Sequence, residues 1–303
     1  MRDGVERTPP VAAFFNIRRP IYDGIMNGRR IGIVHPGEMG IAVAISARNS
    51  GNDVFWASQG RSTATRARAA EAGLQDSGTI AKLCEACTII LSVCPPENAE
   101  QVADQVRACS YRGIYVDANA ISPERAQRMA RRMEDGGAQF VDGGIMGPAP
   151  KARNQTWLYL AGDAAREVAD CFSAGPIEVE LLEGGVGRAS ALKMCFAAYS
   201  KGSIALACAV LAAAEGLDVL DNLKRQWARN GPPLEKLERE LSGAAPKAWR
   251  FAGEMREIAE TFATVGVPPV FHRAAEEIFE RLRHFKNCDR ASLTEVLNAT
   301  LQK

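Results

Sequence analysis

Lys193 stands in the run "ASALKMCFAAYSKG" (189–202), where almost every neighbour is apolar or small. Burying a lysine costs free energy unless its ammonium has a partner or a task. Desolvation lowers its pKa, which suits the group to proton transfer near neutral pH. With 3.6 residues per helical turn, Ser200 falls about 20° from Lys193 on the wheel and Lys201 about 80°, so the three can line one cleft. The alternative is a lysine whose stem packs and whose head reaches water. The residues alone leave these two readings open.

A second cluster of chemistry lies in "RIGIVHPGEMG" (30–40). After an apolar run, Gly37 and Gly40 occupy the second and third places of the pattern G-x-G-x-x-G, and His35 occupies the first. Those glycines serve a tight turn, close approach of backbone to a pyrophosphate, and close packing of helix on strand. Pro36 pushes His35 toward an extended conformation, which alters only the turn. Glu38 and Met39 open a helix whose free N–H groups face a phosphate. His35 to Gly40 are therefore expected to bind a dinucleotide. The next apolar run ends "WASQGRS" (56–62), with no acid to bond a ribose 2′-hydroxyl. Ser58, Arg61 and Ser62 are the groups available. A guanidinium pairs with phosphate in bidentate fashion, so Arg61 points to NADP(H) in preference to NAD(H).

These residues need a scaffold. The first half alternates short apolar runs at 30–35, 53–58, 88–96, 113–123 (a strand and then a loop), 138–150 (a strand running into a glycine/proline loop) and 156–162 with helical stretches at 38–50, 61–72, 98–109 and 123–134. That rhythm predicts an α/β fold, a mainly parallel Rossmann-type sheet with helices on both faces. From Ser190 to Ala214 the chain is helical and apolar on nearly every side, hence buried. Further helices are expected at about 234–242, 246–264, 269–286 and 291–302. The reading is a mobile extension at 1–28, a dinucleotide-binding domain at 29–186, and an all-helical domain at 187–303 for substrate and dimerisation. Met26 is a plausible alternative translation start.

The 303 residues suffice for two domains, and 47% apolar with 24% charged residues is the profile of a globular protein. A formal net charge of +1 gives no electrostatic case for nucleic acid or an anionic membrane, and no run is expected to span a bilayer. Eight cysteines are scattered. Cys84 and Cys87 form a single C-x-x-C without a second pair, which reads as two small apolar residues rather than a metal site. A reducing, cytoplasmic compartment is expected.

The motifs "IGIVHPGEMG", "ILSVCPP", "VDANAISP", "VDGGIMG" and "GRASALKMCFAAYSKG" occur in the order found in the β-hydroxyacid dehydrogenase superfamily, which includes 6-phosphogluconate and 3-hydroxyisobutyrate dehydrogenases. Over residues 29–300 the chain resembles that superfamily. "WRFAGEMREIAETFATVGVPP" (249–269) resembles the branch with a phosphogluconate dehydrogenase-like C-terminal domain. The resemblance implies that Gly37 to Gly40 form the pyrophosphate turn. It places Ser58, Arg61 and Ser62 in the cofactor-discriminating loop, and Val93, Cys94 and Pro95 along the cofactor. Asn119 falls near the nicotinamide and the substrate, and Gly144, Ile145, Met146 and Gly147 in the substrate segment. Lys193 becomes the catalytic general acid and base. Met146 replaces the serine that would hold a substrate carboxylate, Ala120 the usual threonine, and Phe196 and Ala197 the asparagines expected after the lysine. Cofactor chemistry therefore transfers better than substrate identity.

The leading expectation is an NADP(H)-dependent oxidoreductase acting on a hydroxyl or carbonyl carbon of a small molecule. The alternatives are an imine or iminium reductase and a nucleotide sensor without turnover. His272 is a weaker candidate for the far cleft wall, since a lone histidine on an apolar helix face is more often packed. Tyr199 reads as packing. The apolar helix also predicts a homodimer formed through the helical half.

Overall fold

The computed structural model describes residues 28–150 and 152–302. The expected extension lies outside these residues apart from Gly28, as does Met26. Eight strands form one sheet in the order β3-β2-β1-β4-β5-β6-β7-β8. β1 (Arg30–Ile33), β2 (Asp53–Trp56), β3 (Gln75–Asp76), β4 (Ile89–Ser92), β5 (Ile114–Asp117) and β6 (Gln139–Met146) run parallel. β7 (Thr156–Ala161) pairs antiparallel with β6, and β8 (Ile177–Leu181) parallel with β7. The order reverses between β1 and β4, and open α/β sheets bind ligands at such a switch point.

Alternation of side chains buries both faces. Ile31, Ile33, Leu91 and Val116 pack with α1 (Glu38–Asn49) on one side. Ile90, Tyr115 and Phe140 pack on the other with α3 (Ile80–Ala86), α4 (Ala99–Ala108) and α5 (Pro123–Asp135). Gly32 makes room for α3: a Cβ there would sit 2.9 Å from Leu83 Cγ. α2 (Thr63–Glu71) begins two residues later than expected, capped by Ser62. β3, β8, α3 and α6 (Ala165–Ala169) are additions to the expected element list.

α7 (Arg188–Gly216) has 29 residues and is about 43 Å long. By length and composition it could cross a membrane. Here it is packed against β6 and the helices that follow, and carries Lys193 and Lys201. Its first turn is tied to the sheet by the buried carboxylate of Asp142, which accepts from Gly187 N at 2.9 Å, Ser190 N at 3.0 Å and Ser190 Oγ at 2.6 Å. Around α7 lie α8 (Leu220–Asn230), which was not expected, α9 (Leu234–Ala244), α10 (Ala248–Thr264), α11 (Val270–Arg281) and α12 (Leu293–Leu301). α11 stops at Arg281 instead of continuing to 286; a 3-10 turn at Arg283–Asn287 follows.

Candidate active site

The loops after β1, β2, β4, β5 and β6 meet at the carboxyl edge of the sheet, as parallel strands require. After β1, Gly37 N donates to His35 O at 2.9 Å, a three-residue turn that does the work of the missing glycine. Gly40 is required by close approach: a Cβ would lie 2.2 Å from His35 O. Nothing lies within 4 Å of the position a Cβ on Gly37 would take, and no side chain caps α1. The free N–H groups of its first turn are thus available to a pyrophosphate.

Beside this turn, His35 Nδ1 and Arg61 Nε are both buried without a hydrogen-bond partner. Burial, reinforced by the neighbouring Arg61 charge, pushes His35 down to about 4, so it is neutral at pH 7. Burial also lowers Arg61 from the usual arginine range. A desolvated guanidinium with an unmade bond, next to a turn of free N–H groups, fits an anionic dinucleotide. Ser62 caps α2 through Thr65 N at 3.3 Å. The acid absent from the carboxyl end of β2 is present on β3 as Asp76, but it is engaged by Gly78 N at 2.7 Å and by Ser58. Arg66 donates to Ser58 O at 2.7 Å, adding a second cation that the motif reading omitted.

Asn119 is fully used within the protein. Its Oδ1 accepts from Cys94 N at 2.5 Å, and its Nδ2 donates to Asp117 Oδ2 at 2.7 Å and Ser92 Oγ at 3.1 Å. It braces the loops after β4 and β5, fixing Val93, Cys94 and Pro95 along the crevice. Burial pushes Asp117 up to about 7 despite those bonds.

Lys193 crosses the junction of α7 and β6. Its Nζ donates to Ile145 O at 2.7 Å. The close fit depends on Gly144, where a Cβ would be 2.8 Å from Ala189 O and 3.4 Å from Lys193 Cβ. Burial, with the charge of Arg250 adding to it, lowers Lys193 to about 8. Met146 is buried, and Gly147 adopts φ 117° at the end of the strand. Lys201 is ion-paired with Glu254 of α10, and its Nζ lies 4.8 Å from the Phe251 ring centroid. Ser200 does not join the cleft chemistry as expected: its hydroxyl donates to Phe196 O at 3.1 Å within its own helix. Tyr199 is 82% exposed on the outer side of α7 rather than packed within the chain. His272 is buried edge-on against Phe262 and Phe271, with ring centroids 4.5 and 5.2 Å away.

α10 is the element that motif reading missed. Gly253 seats it on the loop after β4, since a Cβ there would lie 2.1 Å from Glu97 Oε1 and 3.4 Å from Pro96 Cγ. Glu257 fastens it to α5, accepting from Ser122 N at 2.7 Å and pairing with Arg125. So anchored, α10 brings Arg250, Phe251 and Glu254 to the lysines of α7. The available sequence signal was a cation and an acid at i, i+4, Arg250 and Glu254, among the charged residues of this helix.

Residues 30–174 match the NAD binding domain of 6-phosphogluconate dehydrogenase. Residues 214–282 match a domain of unknown function, DUF1932. An uncharacterized 28.5 kDa protein of Methanothermus fervidus is 23% identical over 232 residues, 76% of this chain and 88% of that protein. A solved conserved protein of unknown function, described as structurally similar to 3-hydroxyacid dehydrogenases, is 28% identical with a TM-score of 0.61, over 85% of this chain and 98% of its own. The Mycobacterium tuberculosis 3-hydroxyisobutyrate dehydrogenase, solved with L-serine, shares the fold at a TM-score of 0.65 and 16% identity, over 91% of this chain and 100% of its own. With an NAD binding domain of the 6-phosphogluconate dehydrogenase type over residues 30–174 and a helical half after it, the chain fits the β-hydroxyacid dehydrogenase superfamily of NAD(P)-dependent oxidoreductases.

Proposed function

We propose that the protein is an NADP(H)-dependent oxidoreductase that interconverts a hydroxyl and a carbonyl on a small substrate, with Lys193 as general acid and base. The observation that carries this reading is the Lys193 ammonium, fixed by Ile145 O at the carboxyl edge of the sheet and lowered to about 8. An ammonium has three donors. One is spent on Ile145 O, which leaves two for a substrate. In reduction Lys193 gives its proton to the carbonyl oxygen; in oxidation it takes that proton back. NADPH, when bound, supplies the hydride. Arg61 supports the phosphorylated cofactor, being a desolvated cation with an unmade hydrogen bond.

The test is a panel of paired carbonyl and imine substrates, followed by nicotinamide absorbance with NADPH and with NADH. Carbonyl turnover with NADPH supports the reading. Turnover of imines alone replaces it with the C=N chemistry, and tight NADPH binding without any turnover replaces it with a sensor.

We also propose that a second copy of the chain covers the outer face of α7. Leu192, Phe196, Tyr199 and Leu206 recur there at helical spacing and are exposed, alongside Val270 and Phe271 of α11. A contiguous exposed apolar strip of this kind marks an association surface.

A further inference from the structure

Arg250 is unlike the other half-buried cations near the cleft. Arg125 has Glu257 and Glu100, and Lys201 has Glu254. Among the described residues, no hydrogen bond or ion pair is formed by Arg250, and its Nε is buried without a partner. Burial lowers its pKa, opposed only by the charge of Glu38 at the start of α1. Glu38 acts on it only through its charge, without an ion pair, so the guanidinium keeps donors free for an anion that arrives from outside.

Its position says which anion. Arg250 depresses both Lys193 and Lys201, so its charge is felt at the reacting end of the cleft. The guanidinium carbon lies 5.6 Å from the centroid of the Phe251 ring, the same ring that Lys201 approaches at 4.8 Å. At the end of β6 stands Met146, buried and apolar, which offers an anion no hydrogen bond. A pyrophosphate has its own donors in the uncapped first turn of α1.

We propose that Arg250 is a specificity-determining residue that binds an oxyanion of the substrate, a carboxylate or a phosphate, by its guanidinium fork, while Lys193 faces the reacting carbon. This assignment rests on the oxidoreductase reading only in naming the anion as part of the substrate; anion binding itself is measured without turnover. A neutral carbonyl or amine would leave Arg250 unpaired and bind poorly. A lysine at this position would supply charge without the planar two-donor fork.

The experiment is calorimetric titration of the full chain, saturated with NADP⁺, with tartronate, with inorganic phosphate and with the neutral dimethyl ester of tartronate. The wild type is expected to bind at least one of the two anions and to bind the ester far more weakly. Which anion wins identifies the group. Arg250→Ala and Arg250→Gln should weaken the anion about ten- to hundredfold, and Arg250→Lys should restore only part. NADPH affinity, which also reports that each variant is folded, should stay within a few-fold of wild type. Three results would each overturn the proposal: ester binding as tight as anion binding, anion affinity unchanged in both variants, or NADPH affinity falling as far as anion affinity. Absence of turnover across the carbonyl and imine panel would overturn the oxidoreductase reading and leave this result intact.

Discussion

The ammonium of Lys193 reaches from α7 to the carbonyl oxygen of Ile145 on β6, 2.7 Å away, so one side chain joins the helical half to the edge of the sheet. A lysine that merely snorkelled would direct its head to water. This one spends a donor on the backbone beside the crevice, while burial and Arg250 lower its pKa.

Lys193→Met should keep α7, since methionine is a good helix former of similar length. NADPH binding should survive, because Gly37 to Gly40 and Arg61 lie on other loops. Turnover on a working substrate should fall about 10²- to 10⁴-fold, the usual loss for a positioned acid–base group. A rate within a few-fold of wild type, with normal cofactor binding, would remove Lys193 from the chemistry.

The pH profile follows from the same group. Reduction needs the charged ammonium, so its rate should be full below about 8 and fall as pH rises through that value. Oxidation needs the neutral amine and should rise through the same value. Arg250 lowers Lys193 by charge repulsion, so Arg250→Gln should move both limbs to higher pH. Lys193→Arg, which stays charged throughout, should abolish the alkaline rise of oxidation. Identical profiles in wild type and Arg250→Gln would show that the limb belongs to another group.

Arg61→Ala should weaken NADPH about ten- to hundredfold, the value of one desolvated charge-assisted bond, and leave NADH little changed. Direct binding by fluorescence or calorimetry measures both. Equal losses for the two cofactors would assign Arg61 to the turn beside His35 rather than to the 2′-phosphate. Unchanged binding of both would transfer the role to Arg66, which already contacts the Ser58 carbonyl.

Much of the sheet was legible because strands buried on both faces, such as "IILS" and "IYVD", read as short apolar runs between glycine and proline breaks. Other elements were not. α8 has no buried residue; β8, "IEVEL", does alternate Ile177, Val179 and Leu181 toward the core with two acids between them, but over only five residues at the sheet edge. β3 has two residues, too few for any pattern. Within the site, His35, Gly37 and Gly40 were readable because one continuous loop contains them. Arg250 was not, since it meets Lys193 from 57 positions away and only through the seating of α10 on Glu97 and Ser122. Ser200 shared the Lys193 face by periodicity, yet its hydroxyl had a nearer acceptor one turn back.

The outer face of α7 carries the last prediction. Phe196 is 47% exposed and Leu206 52%, and Phe271 leans on the same helix over Gly202, where a Cβ would be 3.0 Å from its ring. Water on such a strip is unfavourable by roughly 25 cal/mol per Å² of apolar surface, and each copy presents the same strip, so a two-fold contact is self-complementary. Light scattering of the full chain at micromolar concentration should therefore give at least a dimer. Phe196→Glu combined with Tyr199→Glu puts two charges into that contact and should yield a monomer. The pyrophosphate turn Gly37 to Gly40 and Arg61 lie on other loops, so NADPH binding to the monomer should persist, which separates loss of assembly from loss of fold. A wild-type chain that stays monomeric at these concentrations would leave the strip without the partner proposed for it, and the double variant would then scatter identically to wild type.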